Sequence, residues 1–366
     1  MDEPLPTRRA NAQERFDDFF NRALDAQERA EMLAGVSVRR RFRLASIDVE
    51  FRLAHPTLES LFCDALAHIE IAAIGEPDFS FHIWDESLSD VEPPLPCWGR
   101  EDLLAYGEIP AFIDAERYLY VDLDRAMVSA ANRRLRRAVV WIRSPAHLAE
   151  SERAAPQPFL LNWLASEAGY FTVHAASVGR PEGGVLVVGR SGAGKSHTAI
   201  ACLDSDLLYV ADDRCLLGTK GRPESASLYS TARLYVEDVH RFPFLQGNTK
   251  NTIQNQYGKV VFFLNAIVPE RLAPGFPIKA VLLTQPSGRR DTKVETALAG
   301  SALLFLGSDN ALRVPSVGRV FLARLASTLR SIPCFRLETG TDISQIPSKI
   351  AALLDMLPEP KTREAS

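Results

Sequence analysis

The residues best suited to chemistry lie in the stretch 185–196, Val-Leu-Val-Val-Gly-Arg-Ser-Gly-Ala-Gly-Lys-Ser. Gly189, Gly194, Lys195 and Ser196 match the pattern G-x-x-x-x-G-K-[ST], in which a glycine-rich loop turns backbone N–H groups toward phosphate oxygens. The lysine of such a loop reaches the β- and γ-phosphates, and the hydroxyl after it ligates Mg²⁺. The stretch therefore predicts a site for a nucleotide such as ATP with Mg²⁺.

The elements on either side must hold this loop, 189–196, which we call the phosphate loop. The apolar run 185–188 predicts a buried strand, and 198–203 continues as a helix whose N-terminus adds partial positive charge beside the phosphates. We expect the loop and the start of the helix to contact the nucleotide through Gly189, Arg190, Ser191, Gly192, Ala193, Gly194, Lys195, Ser196 and His197.

A second group of chemically suited residues follows the strand predicted over 207–211. That strand ends in two adjacent carboxylates, Asp212 and Asp213. The carboxyl ends of neighbouring parallel strands face one ligand crevice, so we expect the pair beside the phosphate loop. One carboxylate can hold Mg²⁺, and the other can accept a proton from an attacking hydroxyl.

Three further side chains are candidates for the same site. His174 lies in a strand predicted over 171–178, which forms a hairpin with the phosphate-loop strand; it is either near the nucleotide or simply packed. Arg233 and Lys259 could neutralise charge on a transferred phosphoryl group, as basic clamps do. A surface or ion-paired position remains open for both.

Composition bounds the class of protein. The chain has 366 residues, 46% hydrophobic and 24% charged, which is ordinary globular composition with room for two domains. A net charge of −4 gives no basic character for a nucleic-acid partner. No apolar run approaches the ~20 residues of a membrane span. Five scattered cysteines without a C-x-x-C pair predict a reducing, cytoplasmic location with no zinc site and no disulfide framework.

The periodic patterns predict two domains. Residues 1–143 read as a small α+β recognition domain with helices 13–34 and 57–68 and strands 41–44, 47–53, 79–84, 117–123 and 138–143. Its basic cluster 39–43 is either the solvated face of a strand or a contact for phosphate or an acidic peptide. Residues 144–366 read as one α/β domain with later strands 260–264, 278–283 and 333–338, helices 294–305, 317–330 and 343–357, and a long polar loop 246–258.

The motifs Val173-His-Ala-Ala, Gly189-Arg-Ser-Gly-Ala-Gly-Lys-Ser and Val210-Ala-Asp-Asp-Arg, in this order, resemble the bacterial HPr kinase/phosphorylase family. The chain is most similar to a divergent branch that includes serine kinases of ribosomal (lasso) peptide precursors. The clear match covers 171–217, and a looser one extends to about 355. The resemblance implies a PEP-carboxykinase-like core that uses ATP and Mg²⁺. It also implies that Asp212 is the base acting on the acceptor serine, that Lys195 and Ser196 hold phosphate and metal, that Asp213 lies on the metal side, and that His174 lies near the transferred phosphate.

The chain departs from the family's pattern after the Asp-Asp pair. The family's run Glu-Ile-Arg-Gly-Leu-Gly, which carries a second metal-side carboxylate, is replaced at 228–235 by Leu-Tyr-Ser-Thr-Ala-Arg-Leu-Tyr. Glu237 or Asp238 could replace that carboxylate, or either could be a plain surface residue. The resemblance therefore does not extend to HPr as substrate or to a reverse, phosphorolytic reaction.

Together these features predict a soluble ATP-dependent kinase that phosphorylates a hydroxyl, most simply a serine on a peptide or protein. A small-molecule kinase, for example one acting on free serine, stays open as an alternative. So does a nucleotide-dependent switch or assembly protein without transferase activity, although a switch needs only one metal-side carboxylate. The sequence leaves a homo-oligomer open and does not name the acceptor.

Overall fold

The computed structural model describes residues 5–148, 150–248, 252–254, 258–306 and 315–358. Within them the chain divides into two compact units of mixed α and β structure. The first is built from the chain up to Asp64 and from Glu70–Trp163; the second begins at Leu164 and also takes in Ala65–Ile69.

The first unit is organised by a six-stranded sheet with the strand order β1-β2-β3-β6-β5-β4. Its strands are β1 (Val38–Leu44), β2 (Ile47–Leu53), β3 (Phe79–Asp85), β4 (Arg117–Asp122), β5 (Met127–Asn132) and β6 (Arg137–Ile142). Its helices are α1 (Leu5–Ala34), α2 (Glu59–Phe62), α3 (Glu86–Ser89), α4 (Glu150–Ala154) and α5 (Pro158–Ala168), the last ending beyond the division. The aromatic face of α1 is buried with the sheet, which explains its helical spacing of Phe16, Phe19 and Phe20.

The observed division lies after the predicted boundary at 143/144, because the segment that follows it packs within the first unit. The ring of Trp163 lies 5.8 Å from that of Tyr118, and its indole N–H donates to the carbonyl of Asp114 at 2.9 Å. A buried tryptophan whose N–H is satisfied fixes α5 to this sheet.

One local prediction for the first unit is wrong, and one holds only in part. The predicted helix 57–68 is three short pieces, a 3-10 turn at Pro56–Leu58, then α2, then a 3-10 turn at Asp64–Ile69. The basic cluster 39–43 is not a solvated face throughout. Arg41 is 4% exposed and pairs with Glu50 at 3.0 Å, because a buried charge requires a partner.

The second unit contains a nine-stranded sheet and a separate three-stranded sheet. Its strands are β7 (Tyr170–Val173), β8 (Ala176–Arg180), β9 (Gly183–Val188), β10 (Leu208–Ala211), β11 (Cys215–Gly218), β12 (Glu224–Ala226), β13 (Thr231–Tyr235), β14 (Thr252–Gln254), β15 (Lys259–Phe263), β16 (Gly275–Pro286), β17 (Lys293–Thr296) and β18 (Cys334–Thr339). Its helices are α6 (Lys195–Cys202), α7 (Ala299–Leu306), α8 (Pro315–Leu329) and α9 (Gln345–Met356).

The strand order places the phosphate-loop strand β9 inside the large sheet. The main path runs β10-β8-β9-β16-β12-β11-β7, with β18 pairing parallel to β16 and β17 antiparallel to β18. The small sheet has the order β13-β15-β14. Helix α6 packs against the large sheet through apolar residues that are completely buried, such as Ala199 and Ile200.

The predicted hairpin into the phosphate-loop strand is confirmed, since β8 and β9 pair antiparallel. The single strand predicted over 171–178 is wrong. It is broken at His174 and Ala175 into β7, which pairs with β11, and β8, which pairs with β9 and β10. One continuous strand could not follow two different sets of neighbours, so the chain turns at the histidine.

The later elements follow the predictions with two departures, one in a predicted helix and one in a predicted loop. Helices α8 and α9 are confirmed, whereas the first part of the helix predicted over 294–305 is strand β17. Val294 packs against the apolar core in β17, so its burial depends on pairing with β18. The predicted loop 246–258 contains β14; residues 249–251 and 255–257, and the tail from 359, lie outside the described residues.

Candidate active site

The phosphate loop joins the end of β9 to the start of α6, as its sequence predicts. Gly192 and Gly194 have φ values of 77° and 92°, the left-handed region that glycine tolerates best. At Gly189 a Cβ would lie 2.9 Å from both the Cβ of Ala193 and the carbonyl oxygen of Thr284. The glycines are therefore required by backbone conformation at two positions and by close packing at the third.

The side chains of the loop divide into an exposed tip and a buried base. Arg190 and Ser191 are exposed, and the N–H of Ala193 donates to the carbonyl of Arg190 at 3.1 Å. Lys195 is 6% exposed, and its Nζ donates to the carbonyls of Gly189 at 2.9 Å and Arg190 at 3.2 Å. A buried ammonium is thus held over the loop by neutral carbonyls, where phosphate oxygens would make stronger, charge-assisted hydrogen bonds.

The first carboxylate of the Asp-Asp pair meets the loop directly. The hydroxyl of Ser196 donates to Asp212 Oδ1 at 2.9 Å, and the backbone N–H of Arg233 lies 3.3 Å from Oδ2. The sequence predicts β10 and β9 as neighbouring strands, but in the structure β8 lies between them. Since β8 is antiparallel to both, β10 and β9 run in the same direction and their carboxyl ends still reach the same edge.

The second carboxylate has a different set of partners. Asp213 has a φ of 68° and follows the end of β10, so its side chain is not constrained by strand alternation. Its Oδ1 lies 3.0 Å from Nε2 of His174, and its Oδ2 accepts from the guanidinium of Arg233 at 2.6 Å. Two adjacent carboxylates are therefore held in separate environments, one by Ser196 and one by two basic side chains.

These environments move the two pKa values in opposite directions. Burial, followed by the negative charge of Asp213, raises the pKa of Asp212 above its ordinary value. Burial also acts to raise the pKa of Asp213, but the hydrogen bond from His174 and the charge of Arg233 outweigh it and hold that pKa well below its ordinary value. Asp213 is therefore ionised at neutral pH. Asp212 is the carboxyl whose ionised form a nearby cation would stabilise most.

The remaining candidates lie around this centre. His197 Nε2 lies 3.1 Å from Asp238 Oδ2, so the structure brings Asp238 beside the start of α6, whereas Glu237 is exposed. Of the two predicted clamps, Arg233 contacts the Asp-Asp pair. The Nζ of Lys259 lies 4.9 Å above the ring of Tyr235, its partner in the strand pairing.

Two features of the site were missed in the sequence. Thr284 ends the apolar run 278–283 and lies beside the phosphate loop, and a polar residue closing a strand next to the loop strand was the available signal. The segment Ala65–Ile69 packs in the second unit. There His68 Nε2 lies 2.6 Å from Ser227 Oγ, which itself donates to the carbonyl of Val210 in β10. No local pattern indicates that contact.

Neither a protein-family model nor a curated protein sequence matches this chain.

Among the described residues, no helix combines the length and apolar character needed to cross a membrane. Nor do three or more His, Cys, Asp or Glu side chains come together there as a ready-made metal site. Mg²⁺ is commonly held by one or two carboxylates together with substrate phosphates.

Proposed function

We propose that the protein is an ATP-dependent kinase that transfers the γ-phosphoryl group to a hydroxyl, with a serine on a peptide or protein as the acceptor class. The observation that carries the proposal is the meeting of the phosphate loop and the Asp-Asp pair through the 2.9 Å hydrogen bond from Ser196 to Asp212. A loop that only binds a nucleotide has no need of the second, separately held carboxylate beside it.

The residues present fit ATP and Mg²⁺. Lys195 is a buried cation that donates to the neutral carbonyls of Gly189 and Arg190, and it can exchange these hydrogen bonds for ones to β- and γ-phosphate oxygens. Ser196 and Asp212 offer the hard oxygen donors that Mg²⁺ prefers. When bound, Mg²⁺ would neutralise charge that develops on the phosphate oxygens during transfer. Asp212 would then lie on the metal side, because it already shares a hydrogen bond with the hydroxyl that ligates the metal.

This assignment exchanges the roles that the family resemblance implied. Asp213 is ionised and is paired with His174 and Arg233 instead of Ser196, so we assign to it the role of the carboxylate beside the acceptor hydroxyl. In the proposed step the acceptor oxygen attacks the γ-phosphorus, the bond from that phosphorus to the β-γ bridging oxygen breaks, and ADP leaves. The hydroxyl proton passes to Asp213. His174, which contacts Asp213, would orient this carboxylate, and Arg233, which also contacts it, would stabilise the transferred group.

The choice of serine as the acceptor class rests on the resemblance. We assign recognition of the acceptor to residues 1–143, since every residue predicted to bind phosphate or metal lies after 170. The proposal is tested by incubating the protein with ATP labelled in the γ-phosphate and with each of three acceptors. These are a serine-containing peptide library, a protein extract and free serine. We expect Mg²⁺-dependent label in peptide or protein. Label found in free serine alone would replace the acceptor class, and tight ATP binding without transfer to any hydroxyl would refute kinase activity.

A further inference from the structure

Within the part of the chain that the structure describes, the hydroxyl of a buried threonine beside the phosphate loop has no hydrogen-bond partner. Strand β16 runs parallel to β9 with Leu283 opposite Val188, so Thr284 follows at the level of Gly189. Thr284 is 4% exposed, and its Oγ1 has no hydrogen-bond partner among the described residues. A buried hydroxyl that is left unsatisfied destabilises the protein that contains it, so it calls for a physical explanation.

The side chain lies against the glycines of the loop. Its Cγ2 is 3.5 Å from the position that a Cβ would take at Gly189, and its Oγ1 is 4.0 Å from the corresponding position at Gly194. The absence of both side chains leaves the hydroxyl facing the loop backbone. Thr284 also lies near the carboxyl end of β16, two residues before the strand ends, and β16 is parallel to the loop strand. Ligands bind at this edge in such sheets.

A second threonine provides an internal comparison. Thr339 Oγ1 lies at the same distance, 4.0 Å, from the Cβ position of Gly194, but it donates to the carbonyl of Gln285 at 3.3 Å. Of these two hydroxyls, that of Thr284 has no acceptor among the residues that the structure describes.

We propose that Thr284 is a further nucleotide-binding residue whose hydroxyl donates to a phosphate oxygen of the nucleotide held by the phosphate loop. The proposal rests on the nucleotide site described above. In the free protein the hydroxyl is buried and unsatisfied, and the phosphate supplies the missing acceptor. Part of the free energy lost in burying it is thereby recovered on binding.

The test combines nucleotide affinity with stability. Thr284→Val keeps the shape of the side chain and removes the hydroxyl, and Thr284→Ser keeps the hydroxyl. Calorimetric titration with Mg·ATP should show at least about tenfold weaker binding for Thr284→Val, in line with a hydrogen bond to a charged group, and nearly normal binding for Thr284→Ser. The Tm of nucleotide-free Thr284→Val should equal or exceed that of the unchanged protein, because an unsatisfied group has been removed. Thr339→Val is the matched control and should keep its affinity within a few-fold.

Several results would overturn the proposal. Binding of Mg·ATP by Thr284→Val as tight as that of the unchanged protein would be one such result. Another would be weaker binding by Thr284→Val that comes with a lowered Tm and is not rescued by Thr284→Ser, which would assign Thr284 to packing alone. Failure of the unchanged protein to bind Mg·ATP at all would remove the nucleotide site and the role of Thr284 together. If the unchanged protein and Thr284→Val both bind Mg·ATP normally and Lys195→Ala does not, the nucleotide site stands and only the role of Thr284 is removed.

Discussion

Ser196 donates its hydroxyl hydrogen bond to Asp212 over 2.9 Å, and this contact joins the phosphate loop to the carboxyl end of β10. The hydroxyl lies in the first turn of α6, where the loop ends, and the carboxylate directly follows β10. Strand β8 separates β10 from the loop strand β9. Because Asp213 has His174 and Arg233 as its partners instead, the two aspartates are expected to fail in different ways when they are changed.

Asparagine at each position separates the two roles. Asp212→Asn removes the negative charge next to Ser196, so we expect weaker Mg·ATP binding or a raised Mg²⁺ requirement. Asp213→Asn removes the proton acceptor, so we expect ATP affinity within a few-fold of normal and phosphoryl transfer reduced by ~10²–10⁴. Nucleotide titration and single-turnover transfer measure the two effects. The reverse pattern would restore the roles that the family resemblance implied, and normal transfer by both variants would make the pair structural.

Replacement of Lys195 tests the phosphate loop itself. Lys195→Ala removes the buried cation expected to face the β- and γ-phosphates, so ATP turnover should be lost while the fold persists. Turnover and the thermal melting curve are measured together, with Lys349→Ala, an exposed lysine on α9, as the control. A Lys195→Ala protein with a normal melting curve and normal turnover would contradict the assignment of the loop.

The raised pKa of Asp212 predicts a pH dependence of stability. A carboxyl whose folded-state pKa lies above its ordinary value of 3.8 contributes stability at low pH, and loses that contribution as the pH rises through the folded-state pKa. With a chelator present, the Tm of Asp212→Asn minus that of the unchanged protein should therefore increase as the pH rises above 3.8. Excess Mg²⁺ with nucleotide should reduce the difference. A difference that stays flat with pH, with and without Mg²⁺, would contradict the assigned environment.

The lowered pKa of Asp213 predicts the opposite trend. Its ionised form is favoured in the folded state, so it stabilises the protein above its ordinary pKa of 3.8, and this contribution is lost as the pH falls below that value. Asp213→Asn should therefore lower the Tm at neutral pH, and the gap to the unchanged protein should narrow toward acid pH. His174→Gln, which removes one of the two basic partners, should show a smaller effect in the same direction.

The segment Ala65–Ile69 predicts that the second unit depends on an early part of the chain. The carbonyl of Ala65 accepts from the N–H of Ser230 at 2.8 Å, and His68 contacts Ser227. A fragment of residues 144–366 removes both contacts. The buried N–H of Ser230 is then left without its acceptor, which costs about 1–3 kcal/mol, whereas the hydroxyl of Ser227 still donates to the carbonyl of Val210. The Tm of the fragment should lie below that of the second unit in the full chain. Equal melting temperatures would show that the segment adds nothing to stability.

The sequence by itself determined the features that depend on local pattern. These features are the glycines, the lysine and the serine of the phosphate loop, the hairpin before it, and helices α8 and α9. They follow from the spacing of residue types and from the conformations that glycine tolerates best. The position of the Asp-Asp pair at the end of a strand was also predictable, because an apolar run closed by polar residues marks that end.

Only the tertiary structure decided which of these residues meet. The place of β8 between β9 and β10 and the break at His174 result from strand pairing that no local pattern encodes. The guanidinium of Arg41 is buried where it donates to the carbonyls of Ile74 and Gly75, more than thirty residues away, as well as to Glu50. The directions of the two carboxylates depend on the left-handed conformation of Asp213, beyond the end of the strand where alternation no longer applies. The unpartnered hydroxyl of Thr284 became visible for the same reason, since the absence of a partner is a property of the packed chain and not of the residue.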